Sequence, residues 1–155
     1  MVMKMKKTMF LAVIFVILGA VCGNYLYKKA PDSVSVFRES SKFYFLQEGI
    51  YSSKDIMMEN VGDLSNKLVV LKDNQYYVYV GITLDKNNVD KIKKIYENMG
   101  YQIYVQEIEL DSGEFISNVS QFDLLVAEAD STDDILSVEE VVLANYEQIF
   151  GTGIQ

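Results

Sequence analysis

The N-terminal part of the chain contains a long hydrophobic segment that no charged residue interrupts. Residues 8–27 form a run of 20 positions without a charged side chain, flanked by Lys7 and Lys28. A helix of that length is about 30 Å long, which matches the hydrocarbon core of a bilayer. The sequence therefore predicts a membrane-spanning helix. Thr8, Phe10, Phe15 and Tyr27 lie in this predicted membrane segment.

Two other kinds of N-terminal segment share some of these features. A cleaved signal peptide also begins with lysines and an apolar core, but this run is longer and no clear small-x-small cleavage site follows it. A lipoprotein signal would use Cys22, although the preceding Val21 is bulkier than the usual residue. The lysines on the N-terminal side slightly exceed those that follow, so the positive-inside rule places the N-terminus in the cytoplasm.

Beyond a linker at residues 30–41, strand-like and helix-like patterns alternate. Four aromatic or β-branched segments predict strands at residues 43–49, 67–71, 76–81 and 101–108. Helical spacing predicts two helices between them, the first with Met57, Val61 and Leu64 on one face, and the second with Val89, Ile92, Tyr96 and Met99. The order β-α-β-β-α-β indicates an α+β domain. We expect a four-stranded antiparallel sheet with both helices on one face and the other face open.

Local signals mark the ends of these elements. Ser52 or Ser53 can cap the first helix and Asp85 the second, while Asp73-Asn74 suits a tight hairpin turn. Gly100 suits the left-handed position that ends a helix.

The last segment is acidic and helical. From Glu107 onward there are twelve acidic residues and no lysine or arginine. Apolar residues still recur at helical spacing, which predicts two amphipathic helices, the second capped by Asp133 or Asp134. Their apolar positions are Phe115, Val119, Phe122, Val126 and Ala129 in the first, and Ile135, Val138, Val142 and Ile149 in the second. These helices either pack on their own domain or form a surface for a partner.

The predicted organisation therefore has four parts. Residues 1–29 form the cytoplasmic N-terminus and transmembrane anchor, residues 30–41 the linker, residues 42–110 the α+β domain, and residues 111–155 the acidic helical extension.

The amino-acid composition argues against several functions. The net charge of −8 argues against nucleic-acid binding, which needs a basic patch. The chain has no histidine and its one cysteine lies in the hydrophobic run, so His-dependent nucleophiles are excluded and no metal cluster is recognisable. We expect no catalytic residue, no metal site and no cofactor, and hence a non-enzymatic protein.

One motif points to a family. The segment Gln47-Glu-Gly49-Ile-Tyr51, followed by Ser52, resembles the Gln-x-Gly-x-aromatic pattern of the SPOR domain of bacterial cell-envelope proteins. The resemblance covers about residues 43–108, and includes a later strand that ends at Gly81. It departs from the family in the third strand, where Tyr77 and Tyr79 replace common arginines.

The resemblance implies a non-catalytic domain that binds peptidoglycan glycan strands, often in division or sporulation. It also implies a protein of the bacterial cell membrane with an extracytoplasmic domain. The family binds its ligand on the open face of the sheet, so strand alternation selects the candidate residues. These are Phe45, Gln47, Tyr77, Tyr79, Gln102 and Tyr104.

Two alternatives remain open. The outward rings could contact a glycan, or they could be covered by the acidic helices. The protein could also be an envelope assembly or scaffold protein whose sheet face or C-terminal helices bind another protein.

Overall fold

A computed structural model describes residues 40–151 of the chain. The predicted anchor, with Thr8, Phe10, Phe15 and Tyr27, lies outside the described residues and stays a prediction. Within residues 40–151, no helix combines the length and the hydropathy needed to cross a bilayer.

The described chain has the predicted mixture of helices and strands. Its elements are β1 (Ser41–Tyr51), α1 (Lys54–Val61), β2 (Leu68–Lys72), β3 (Gln75–Thr83), α2 (Lys86–Asn98), β4 (Tyr104–Leu110), α3 (Gly113–Glu128) and α4 (Thr132–Phe150). The four strands form one antiparallel sheet in the order β2-β3-β1-β4. The predicted element order and the antiparallel sheet are confirmed.

Local chemistry accounts for most of the boundaries. Asp73 and Asn74 both have positive φ, which a two-residue turn between β2 and β3 requires. The side chain of Ser53 accepts a hydrogen bond from the backbone N–H of Ile56 at the start of α1. Asp85 caps α2 in the same way, and Gly100 follows α2 with φ +95°.

Four local predictions were wrong. The fourth strand begins at Tyr104 rather than at residue 101, because residues 101–103 do not pair with β1. Leu64 is buried beyond the end of α1, and Met99 is 49% exposed at the end of α2. Ser131, not an aspartate, caps α4 through a hydrogen bond from the backbone N–H of Asp134.

The two faces of the sheet meet different helices. Phe43 and Phe45 point to one face, where their rings contact Phe115 of α3 and Tyr146 of α4. Leu46 points to the other face, since successive strand residues alternate. Leu46 is fully buried, and α1 and α2 both contact β1. The sheet therefore lies between α1 and α2 on one side and parts of α3 and α4 on the other.

The helices α3 and α4 form an antiparallel pair, called the α3–α4 hairpin below (residues 113–150). Its buried apolar residues include Phe115 and Val126 in α3 and Ile135 and Val142 in α4. The hairpin contacts β3, and α3 also contacts α2. The expectation that the whole second face of the sheet is open is therefore wrong, and the alternative that the acidic helices cover it is correct for part of the face.

Candidate functional site

One half of the second sheet face is covered by the hairpin. This covered half consists of Phe43, Phe45 and Tyr79, which are at most 7% exposed. The Phe45 ring lies 5.2 Å from the Tyr79 ring and 5.5 Å from the Tyr146 ring, both in edge-to-face geometry. Large rings bury much apolar surface in such clusters, and this stabilises docking of the hairpin. Of the predicted site residues, Phe45 and Tyr79 lie here and are not open to solvent.

The other half remains accessible. This open half consists of Ile50, Tyr77 and Tyr104, and the register shows how they share one face. Ile50 lies opposite Tyr77, which lies two residues from Tyr79 in β3. Tyr104 is 51% exposed, Ile50 is 44% exposed and Tyr77 is half-buried. The predicted residue Gln102 is also exposed, but it precedes β4, so strand pairing does not fix its direction.

Gln47 connects the two halves. It lies opposite Tyr79 on β3 and opposite Tyr104 on β4, so the three residues form one row across the sheet. Gln47 is only 5% exposed. Its Oε1 accepts a hydrogen bond of 2.7 Å from Nε2 of Gln106, which satisfies one group of a buried amide. The structure therefore places an amide pair beside an exposed tyrosine ring.

The family-like motif also has a local structural role. The register shifts between Leu46 and Gln47 and again between Gln47 and Gly49, so β1 is irregular at this point. A Cβ on Gly49 would lie 3.0 Å from the hydroxyl oxygen of Tyr51. That hydroxyl donates a hydrogen bond of 2.8 Å to Glu48. The Gly-x-Tyr spacing therefore lets the Tyr51 ring lie over the glycine, and strand alternation alone did not predict the irregular register.

Two apolar residues of the segment predicted as the fourth strand differ in burial. Ile103, just before the strand, is 3% exposed. Val105, which alternates with Tyr104, is 39% exposed. Because β4 is an edge strand, this end of its inner face is only partly covered by a helix.

The charged side chains of β4 lie on the face of the sheet opposite the open half. Residues 40–151 contain no arginine, and Glu107 and Glu109 pair with Tyr44 and Lys42, which alternate with the residues of the Gln47 face. Lys42 pairs with Glu107 at 2.9 Å, with both side chains more than half exposed. This ion pair, led by its side-chain hydrogen bond, raises the pKa of Lys42. The open half therefore offers rings and amides rather than a cationic pocket.

Sequence reasoning missed two buried carboxyls on the hairpin. Asp123 is 8% exposed and Glu139 is fully buried. Asp123 accepts hydrogen bonds from the hydroxyl of Thr83, the backbone N–H of Leu84 and the amide of Asn88. Burial raises the pKa of Asp123 despite these bonds.

Glu139 is held by a single hydrogen bond. Its Oε2 accepts the backbone N–H of Ile82 at 3.0 Å, whereas Oε1 has no hydrogen-bond partner among the described residues. Burial raises the pKa of Glu139 to about 8, and nearby Asp123 adds to the shift. The sequence did hold a signal, since Glu139 follows Ile135 by four residues and precedes Val142 by three, which places it on the apolar stripe of α4.

The sequence predicts no metal site in the whole chain, and the structure describes only residues 40–151. Within residues 40–151, no group of three acidic, histidine or cysteine side chains is placed to hold a metal ion.

Comparisons with known proteins add one similarity. No protein-family model matches the chain, and no curated protein matches it. The chain is similar to the peptidoglycan-binding domain of the B. subtilis cell wall lytic enzyme CwlC, a solution structure, at 26% identity and a TM-score of 0.38. The match covers 50% of this chain and 99% of that domain.

Proposed function

We propose that this chain is a membrane-anchored, non-catalytic cell-envelope protein whose α+β domain binds glycan strands of peptidoglycan. The observation that carries the proposal is the exposed Tyr104 ring beside the Gln47–Gln106 amide pair. Gln47 is also the first residue of the segment that resembles the SPOR pattern. Both the motif and the exposed surface therefore favour the same part of the sheet.

The chemistry of this surface suits an uncharged sugar face. A tyrosine ring can stack on the apolar C–H face of a pyranose, and glutamine amides can both donate to and accept from hydroxyl or acetamido groups. Tyr77 of β3 adds a second, half-buried ring to the same face, and Gln102 is an exposed amide just before β4. The surface lacks the fixed cations that would favour binding through sugar carboxylates.

The location follows from the predicted anchor. A single membrane span with its N-terminus in the cytoplasm would hold the domain outside the membrane, close to wall strands under assembly. Division or sporulation sites are the settings that the SPOR resemblance suggests.

The test compares two neighbouring residues of β4. Tyr104→Ala should weaken the binding of full-length protein, in mild detergent, to amidase-treated peptidoglycan by about tenfold, because one stacking ring is lost. Pelleting with purified peptidoglycan measures this, and wild type should pellet more strongly after amidase treatment than before.

Val105→Ala is the matched control, since Val105 lies on the same strand but points to the other face. It should pellet like wild type. If the wild type pellets no more than a control protein, the proposed function is wrong. If both variants lose binding equally, the site is not at Tyr104.

A second candidate is an envelope assembly protein whose hairpin binds another protein. The observation in its favour is Leu124 of α3, an apolar side chain that is 61% exposed. Under this proposal Leu124→Glu abolishes localisation of the protein in cells while pelleting with peptidoglycan is unchanged. Retained localisation would remove it.

A further inference from the structure

The α3–α4 hairpin covers a surface that continues the proposed binding site. The row Tyr79–Gln47–Tyr104 runs from under the hairpin to solvent, with Tyr79 at 7% and Tyr104 at 51% exposure. A glycan strand is a linear polymer, so a sheet face several strands wide suits it better than one exposed ring. The covered half supplies the missing rings, namely Phe45 and Tyr79.

Two kinds of contact hold the hairpin on the sheet. The first is aromatic, since Tyr146 of α4 contacts Phe45 through its ring. The second is polar, since Glu139 accepts the backbone N–H of Ile82, which lies opposite Phe45, and Asp123 accepts that of Leu84, just after β3. These backbone groups lie beyond the last β3 residue that pairs with β2, so side chains of the hairpin replace a neighbouring strand.

The polar contact leaves buried polar atoms near it without hydrogen bonds. Both Glu139 Oε1 and the hydroxyl of Tyr96 are buried without a hydrogen-bond partner among residues 40–151. Burial raises the pKa values of Glu139 and Asp123, which means that their charged forms are unfavourable in the docked state. Opening the hairpin would hydrate these groups, and this gain offsets part of the cost of exposing the rings.

The connections allow such a movement. Two residues, 111–112, join β4 to α3. The pairing of β4 with β1 and the contacts of α1 and α2 with β1 do not involve the hairpin.

We propose that the α3–α4 hairpin is an autoinhibitory lid, which docks on the covered half of the sheet face and is displaced when a glycan strand binds along the whole face. This inference rests on the proposed function. The lid lowers the affinity of the resting protein, because binding must first expose Phe45 and Tyr79.

The first test uses wild-type full-length protein. The amides of Ile82 and Leu84 donate to hairpin carboxylates, so their hydrogen exchange reports docking of the hairpin directly. Adding soluble, amidase-treated glycan strands should accelerate exchange at these two amides severalfold, since a ligand that prefers the open state shifts the population toward it. Glycan that binds and leaves these amides unchanged, or protects them, would overturn the lid.

The second test weakens the polar and the aromatic contact of the docked hairpin separately. Asp123→Ala and Tyr146→Ala should each increase pelleting with amidase-treated peptidoglycan at least threefold. Leu124→Ala is the matched control, because Leu124 is adjacent to Asp123 and exposed, and it should leave pelleting unchanged. Hydrogen exchange at the Leu46 amide identifies a variant that unfolds globally, because the Leu46 side chain lies on the face of β1 away from the hairpin. If a variant unfolds, the exchange experiment on the wild type decides whether the hairpin is a lid.

The two proposals fail in different ways. If wild type pellets and the two weakened variants pellet equally well, the binding function stands and the lid is wrong. If neither wild type nor any folded variant pellets, the binding function is wrong, and the regulatory role of the hairpin is lost with it.

Discussion

At the scale of single residues, Glu139 has the most unusual environment in the described chain. A fully buried carboxyl with one hydrogen bond is costly when ionised. Gly81 contributes to its position, because a Cβ at Gly81 would lie 3.0 Å from Glu139 Oε2 and 3.0 Å from Ile92. The absence of a side chain at residue 81 therefore lets the carboxyl reach the backbone of β3.

Glu139 should make the stability of the protein fall as pH rises. Its pKa is raised from 4.5 to about 8 in the folded state, so between these values the folded protein binds more protons than the unfolded chain. The stability contribution is fully present below the lower value and is lost as pH rises through the upper one. We expect the free energy of unfolding to decrease by a few kcal/mol over this range.

Glu139→Gln removes this titration and keeps an acceptor for the Ile82 N–H. Its free energy of unfolding should depend less steeply on pH than that of wild type, as measured by chemical unfolding at pH 5, 6, 7 and 8. Glu140→Gln, at the exposed neighbouring position, is the control and should retain the wild-type slope. Parallel slopes for wild type and Glu139→Gln would contradict the assignment.

At the scale of elements, one lysine links α2 to the hairpin. The ammonium group of Lys91 donates hydrogen bonds of 2.9 Å to the carbonyl oxygens of Val126, Ala127 and Ala129 at the end of α3. Carbonyls at the end of a helix have few backbone partners, and a cation near a helix C-terminus is favourable.

Lys91→Met should therefore destabilise the protein by about 1–2 kcal/mol, a value at the low end for charged hydrogen bonds because the site is partly exposed. Thermal unfolding of the full-length protein measures the loss. Lys94→Met, on the exposed side of the same helix, should change the melting temperature little. An equal effect of both variants would mean that the Lys91 contacts contribute nothing specific.

The elements were largely predictable from sequence, because periodicity, caps and turns are local. Asp73-Asn74, Asp85 and Gly100 each mark the boundary for which their chemistry suits them. The irregular register near Gln47 was not predictable, since it depends on how β1 pairs with two neighbours at once. The sequence predicts the burial of Phe45 and Tyr79 only as one of two alternatives. The alternation of residues along a strand places a ring on one face, but it does not tell whether a ligand or a helix covers that face.

At the scale of the whole molecule, the chain has a predicted anchor and a domain with one sheet face that is half covered and half open. The chain carries a net charge of −8, and its last 49 residues, from Glu107, contain no lysine or arginine. Such a surface repels anionic polymers at long range, so under the proposed function a glycan would be recognised by short-range stacking and hydrogen bonding. Specificity would then depend on a few residues around Tyr104.

The most direct measurement follows the tyrosine rings themselves. Full-length protein with ¹³C-labelled tyrosine, in detergent micelles, is titrated with soluble, amidase-treated glycan strands and observed by NMR. We expect a saturable shift of the ring resonances of Tyr104, which is 51% exposed in the free protein. Unchanged Tyr104 resonances at saturating glycan concentration would contradict the claim that the open half of the sheet face binds peptidoglycan.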